Sequence, residues 1–241
     1  MDVSTIDLQL VDITSAPPPA AIADVLARMQ AIDALLPSGD GLKWFNLLYM
    51  RVTEKVDSSP PAGGWEDAAW LTRLDVVFAQ FYFTAIRNWL SDSAGVPSSW
   101  KALFEARFRP GVERIQWALA GMNAHINHDL ALALIETDAE MNLLPTKTSP
   151  EHDDFERVNG LLEATLPEAL KFLAAGILGE LAQDTGKIGR LLAIWNVSAA
   201  RNLAWDFADH LRGLSGIARD AALVAQDQLT GTLGRSLLLA V

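Results

Sequence analysis

Residues 112–135, VERIQWALAGMNAHINHDLALALI, make a stretch that has almost no solvated face when wound as a helix. A helix apolar nearly all round belongs in the interior of a protein. The stretch therefore predicts a buried central helix over about 112–136, with the rest of the chain packed around it. Yet Asn123, His125, Asn127, His128 and Asp129 fall within seven residues of it. An ionised carboxylate without a partner is too unfavourable to bury, so Asp129 must be paired, metal-bound or protonated. A polar cluster kept in such surroundings is the first candidate for a working site.

At about 100° per residue, Ile115, Leu119, Met122, Ile126 and Ala133 share one face. His125 and Asp129, one turn apart, lie on one flank of that stripe, and Asn123 and Asn127 lie on the other. His-x-x-x-Asp on a helical face suits two metal ligands, and equally a general base with the carboxylate that orients it. Elsewhere, Asp75 falls within the core face defined by Leu71, Phe78 and Tyr82. Arg51 projects between Trp44, Leu47 and Leu48, and Arg201 shares a face with Trp205 and Ser198. His152 and Asp154 occupy the first turn after Ser149, where backbone N–H groups favour anions. One reading joins His125, Asp129, His152 and Asp154 around a single divalent metal ion. The other is structural: Asp75 paired with Arg51 or Arg201, the asparagines bonded to carbonyls, and His152 with Asp154 as caps. By the same spacing His128 and His210 lie on other faces, as ordinary hydrogen-bonding or surface histidines.

The rest of the sequence limits the options. With no Cys among 241 residues, disulfides and thiolate chemistry are excluded, and any metal must be held by His, carboxylate or amide oxygen. A formal charge of −11 without a basic block argues against nucleic-acid binding. The acidic N-terminus does not resemble a signal peptide. Apolar runs such as Phe172–Leu178 are cut by Glu180 and Gln183, too short to span a bilayer. A soluble, cytoplasmic protein is expected.

Helix punctuation runs the length of the chain. Pro17–Pro19 precede an amphipathic segment stopped by Pro37 and Gly39, and Asp40 then caps the segment that runs to Val56. A long helix is expected over Trp65–Leu90, and a short one capped by Ser98 or Ser99 and ended by Pro110. Leu143–Thr148 reads as a connection. Ser149-Pro150-Glu151 is a strong helix start, and Pro167 should split or kink the helix that begins there. Gly186 marks a further break, Gly213–Gly216 closes the next helix, and a last one is expected over Ala218–Leu229. Period-2 alternation occurs only in Asp2–Ile13, so residues 1–18 read as an extended arm. With no repeat and no linker, the fold expected is all-α, a single-domain multi-helix bundle over 1–241. The apolar end, RSLLLAV, should dock on the core or on a second copy in a homo-oligomer.

Several segments resemble a bacterial all-helical domain family of unknown function: residues 40–56, 73–83, 109–134, 152–162 and 200–211. The Gly-Met-Asn-Ala-His-Ile-Asn-x-Asp run at 121–129 is the specific part. The resemblance implies a helical fold and singles out segments, and it carries no activity. His125 and Asp129 are also similar in spacing to a pair in zinc-dependent phospholipase C and the helical single-strand nucleases. Those enzymes use several more histidines, whereas this chain has four in all, so one metal ion is the most it could hold.

These features favour a small-molecule enzyme with a largely apolar substrate held between helices. His125 and Asp129, with Asp75 as a second carboxylate and Arg201 opposing developing charge, would carry acid–base chemistry or single-metal-assisted hydrolysis or elimination. Asn123, Asn127, Trp117, Trp205 and Tyr82 would line the substrate site. The alternatives are a metal-free cyclase or isomerase of a biosynthetic intermediate, and a non-catalytic apolar-ligand-binding or scaffold protein.

Overall fold

The structure, a computed structural model, describes residues 2–91, 95–175 and 196–239. Among them every regular element is helical. In chain order these are α1 (Val3–Ser15), α2 (Ile22–Leu35), α3 (Gly41–Ser58), α4 (Ala68–Leu90) and α5 (Ser98–Glu105). A central rod comes next, made of α6 (Arg114–Ala124), a π-helical turn (His125–Asp129) and α7 (Leu130–Met141). The last three are α8 (Pro150–Ala175), α9 (Val197–Arg212) and α10 (Gly216–Leu237). None of the described helices is long and apolar enough to cross a membrane.

Side chains that cap free N–H groups start many of these helices. Asp2 accepts from Thr5 N, Asp40 from Leu42 N, Asp67 from Trp70 N and Asn196 from Ala199 N. Asn142 closes the rod in the left-handed region at φ 54°, which Asn tolerates better than most residues. The expected central helix is present, and nearly every residue of α6 is buried. Packed against the rod are α3 and α10 along α6, and α4 and α9 along α7, while α8 lies on α3 and α9. Buried apolar side chains from Ile6 to Leu238 form one contiguous cluster. The α3–α6 crossing is tight because Gly121 faces Phe45: a Cβ there would come within 2.3 Å of the Phe45 ring.

Three expectations need correction. The N-terminal segment is a helix, not an extended arm. Ile6, Leu10 and Thr14, each four residues from the last, are its buried positions, and that spacing prevails over the apparent alternation of Ile6, Leu8 and Leu10. Next, of the two outcomes expected at Pro167 the split does not occur, since α8 runs through it. Lastly, the final helix continues beyond Leu229 to Leu237, because Gly231 and Gly234 are packing residues and not stops. A Cβ on Gly231 would meet Ser98 of α5 at 2.5 Å. The apolar end docks on its own chain: Leu238 is buried, and the Gln116 amide donates to the carbonyls of Leu237 and Leu239 at 2.8 Å each. The break expected at Gly186 lies outside the described residues.

Candidate active site

Midway along the rod the backbone widens for one turn. Leu130 N–H donates to the carbonyl of His125, five residues back, in place of the usual four. Such single-turn widenings inside α-helices are uncommon and often mark functional sites. His125 and Asp129 bound this turn, and both are almost fully buried.

The two side chains are hydrogen-bonded, His125 Nδ1 to Asp129 Oδ2 at 2.9 Å. Asp129 also accepts from Trp100 Nε1 at 2.9 Å and from His128 Nδ1 at 2.8 Å. Burial opposes its charge, yet the bonds from His125 and His128 hold its pKa below the usual carboxylate range. A carboxylate only accepts, so the Nδ1 of His125 must carry the hydrogen. Burial also lowers the His125 pKa, against the opposing pull of Asp129. The ring is therefore neutral near pH 7, and its Nε2 is a bare lone pair. That Nε2 is buried and has no hydrogen-bond partner. Phe78 stacks on the ring at a centroid distance of 3.5 Å, 4° from parallel, and Tyr49 meets it edge-on at 4.5 Å. Aromatic contacts thus fix the plane of the imidazole and Asp129 fixes its rotation.

His125 forms part of the wall of a cavity of about 50 Å³. Tyr49, Val52, Thr53 and Val56 of α3, Phe78 of α4, and Met122 and Ile126 of the rod supply most of its lining. Two charged side chains join this wall, Asp75 of α4 and Arg201 of α9. No direct hydrogen bond or ion pair joins these two, although Arg201 is the cation whose field acts on Asp75. Burial pushes the Asp75 carboxyl up to about 7 against that field. Burial likewise lowers Arg201 to about 10, with Asp75 and Glu156 opposing. Arg201 is held from behind: Nε donates to Asn159 Oδ1 at 2.6 Å, and the guanidinium lies 4.2 Å over the Phe155 ring. Near pH 7 the cavity therefore combines a neutral imidazole base, a carboxyl that exchanges its proton, and a fixed cation. All three stand among apolar walls that strengthen electrostatic effects.

The structure brings together His125, Asp129, Asp75 and Arg201 of the residues singled out in the sequence. The others lie elsewhere. Asn127 donates to Asn123, which donates to the Thr230 carbonyl, so this pair ties the rod to α10. Trp117 donates to the Ala106 carbonyl at 2.9 Å. Tyr82 donates to Asn46, within the core beside the cavity. Trp205 packs with Trp70, Phe155 and His152. Asp154 accepts from Glu66 N and Asp67 N and pairs with Arg157, while His152 faces Glu156 at 3.9 Å. The four proposed metal ligands are thus split between two places. Of the residue types that hold metals, the cavity wall contains His125 and Asp75. No group of three or more His, Asp or Glu suited to hold one occurs among the described residues. Arg51 borders a separate surface groove with Glu54 and Lys55.

Sequence reasoning missed Tyr49, Thr53, Trp100 and His128. Tyr49 is signalled after the fact, since it lies one turn beyond Phe45 on the face of α3 that meets α6. His128 falls on a separate face only if the helix is wound uniformly, and here it is not.

No curated protein and no solved structure matches the chain. Residues 22–240 match the family of unknown function DUF5995, and the chain belongs to that family.

Proposed function

We propose that the protein is an enzyme that moves protons on a small, largely apolar molecule, an isomerase or cyclase in type, with His125 as base and Asp75 as acid. The observation that carries this reading is the buried, unpartnered Nε2 of His125, a residue of the cavity wall, with Asp129 bonded to the opposite nitrogen. Nε2 takes a proton from the substrate as the imidazolium forms beside Asp129. The Asp75 carboxyl returns a proton to another atom of the same molecule, so the substrate's composition is conserved, and the proton left on His125 passes through water back to Asp75 before the next turnover. Arg201 opposes negative charge that develops between the two transfers. Paired groups whose surroundings separate their protonation behaviour are the usual basis of acid–base catalysis. Room for a few water molecules is what about 50 Å³ provides. Substrate binding therefore requires apolar wall side chains to turn aside. The same proposal assigns this work to the cytoplasm.

A second reading, a non-catalytic helical protein, is favoured by one observation: all the hydrogen bonds of Asp129 are internal. One experiment separates the two. The purified protein is incubated with a small-metabolite extract, and the mixture is followed by mass spectrometry coupled to chromatography that resolves isomers. The enzyme reading expects a compound to be converted to an isomer of the same mass. In His125→Gln the rate should fall roughly 10²–10⁴-fold while the melting temperature stays nearly unchanged. No conversion by the wild type, together with a large loss of stability in His125→Gln, would establish the structural reading.

A further inference from the structure

We infer that His128 is a positioning residue: it holds and charge-balances Asp129, and through Asp129 it sets the tautomer and basicity of His125. This inference rests on the reading of His125 as the cavity base. Nothing in the sequence pattern assigned His128 such a part.

The geometry is an unbroken alternation of acids and imidazoles. His125 Nδ1 meets Asp129 Oδ2 at 2.9 Å, and Asp129 Oδ1 meets His128 Nδ1 at 2.8 Å. Beyond it, His128 Nε2 stands 3.7 Å from Asp227 Oδ1 of α10. Asp227 is itself anchored, accepting from Ser98 N at 2.8 Å and Ser99 N at 2.9 Å at the start of α5. The row therefore runs from the cavity wall to a carboxylate fixed on another helix pair. The two oxygens of Asp129 are divided between the histidines, so neither ring can displace the other.

Charge follows from this arrangement. Burial works against a cation at His128, but the Asp129 bond and the charges of Asp129 and Asp227 raise its pKa. His125 shifts in the opposite direction under burial. Over the range in which His125 titrates, His128 is therefore already the cation, flanked by two carboxylates. It draws part of the Asp129 charge to itself and restrains the basicity that Asp129 confers on His125. The other groups facing His125 are Asp75 from α4, Arg201 from α9 and the Tyr49 phenol from α3, which border the same cavity. None of them touches Asp129 within hydrogen-bond distance.

The test uses ¹⁵N-labelled full-length protein and the ring-nitrogen shifts of His125, followed from pH 5 to pH 8, which requires no substrate. Wild type should show the Nδ1–H tautomer. In His128→Leu the His125 midpoint should rise by about one unit, the size expected when a neighbouring cation is removed. His128→Asn keeps a donor toward Asp129 without the charge, so it should hold the Nδ1–H tautomer with a smaller rise. An Nε2–H tautomer in wild type would sink the proposed function itself. The Nδ1–H tautomer in wild type, with an unmoved midpoint in both variants, would overturn the role given to His128 alone. Should His128→Leu fail to fold, the Asn variant decides by the same reading.

Discussion

Two acid–arginine pairs stand inside this helix bundle, and they are built in opposite ways. Arg107 and Asp40 are both almost completely buried and in direct contact, at 3.0 and 3.2 Å through Nε and 2.5 Å through Nη2. Asp7 accepts from the same guanidinium at 3.1 Å, and Asp40 also caps Leu42 N. Asp75 and Arg201 instead border a cavity and influence each other through space, with no direct bond between them. The first pair has its hydrogen-bonding groups engaged by the protein. In the second, Arg201 is held by Asn159 Oδ1 and the Phe155 carbonyl, no hydrogen bond holds Asp75 among the described residues, and both residues line the cavity. A buried arginine is common to both, so burial alone does not distinguish a lock from a site. What distinguishes them is whether hydrogen-bonding capacity remains.

The strongest way to break this contrast is to truncate the lock. Arg107→Ala leaves Asp40 buried without its counter-charge, and loss of about 3–5 kcal/mol of stability is expected. Chemical denaturation measures it, and a change under about 1 kcal/mol, the scale of an ordinary surface pair, would mean that the two pairs do not differ in kind.

Asp75→Asn probes the other pair, with a different sign. A carboxyl whose pKa rises to about 7 on folding binds protons more tightly in the folded state. Its contribution to stability is fully present below the unfolded value and is lost as pH rises through about 7. Wild type should therefore lose stability between about pH 4 and 7, by up to about 4 kcal/mol. Asp75→Asn should flatten that slope and be the more stable protein at pH 8. Denaturation curves at several pH values test this, and parallel slopes in the two proteins would return Asp75 to the structural class.

Asp154 sharpens the comparison at the smallest scale. It is a fully buried acid on α8 that bonds Glu66 N at 2.9 Å and Asp67 N at 2.7 Å, and so holds the turn that leads into α4. Asp154→Ala should cost about 1 kcal/mol, as for a lost cap. It should leave the His125 ring-nitrogen shifts unchanged. A shift in those signals would tie the two places together after all.

Helix punctuation made most of the fold legible. Asp40 caps α3 as the rules require and α8 starts at Pro150 directly after Ser149, although the Ser149 hydroxyl bonds Thr146; the buried rod follows from its apolar surround. Misreadings arose where two physical causes leave the same mark. Gly231 resembles a stop because glycine disfavours helices, yet α10 needs it to approach Ser98. The segment Asp2–Ile13 alternates in one reading and repeats every four residues in another, and only its neighbours α2 and α4 decide between them. In the site, His125 with Asp129 was legible because the helix itself sets their spacing. The meeting of Asp75 with Arg201 could not be read with the same security, because it depends on how α4 and α9 cross the rod. His128 was illegible for a subtler reason: the altered winding of one turn leaves no trace in residue types.

That altered winding makes the segment tolerant of length. The wide turn His125–Asp129 joins two regular helices through one surplus residue. Deleting a single amino acid within it would let the backbone close into an ordinary spiral while both flanking helices keep their phase. Asp138 would then stay on Trp70 Nε1, to which it is bonded at 2.8 Å, and on Arg212. The same loss in α6 or α7 has no such outlet and would turn the downstream part of the rod by about 100° about the axis.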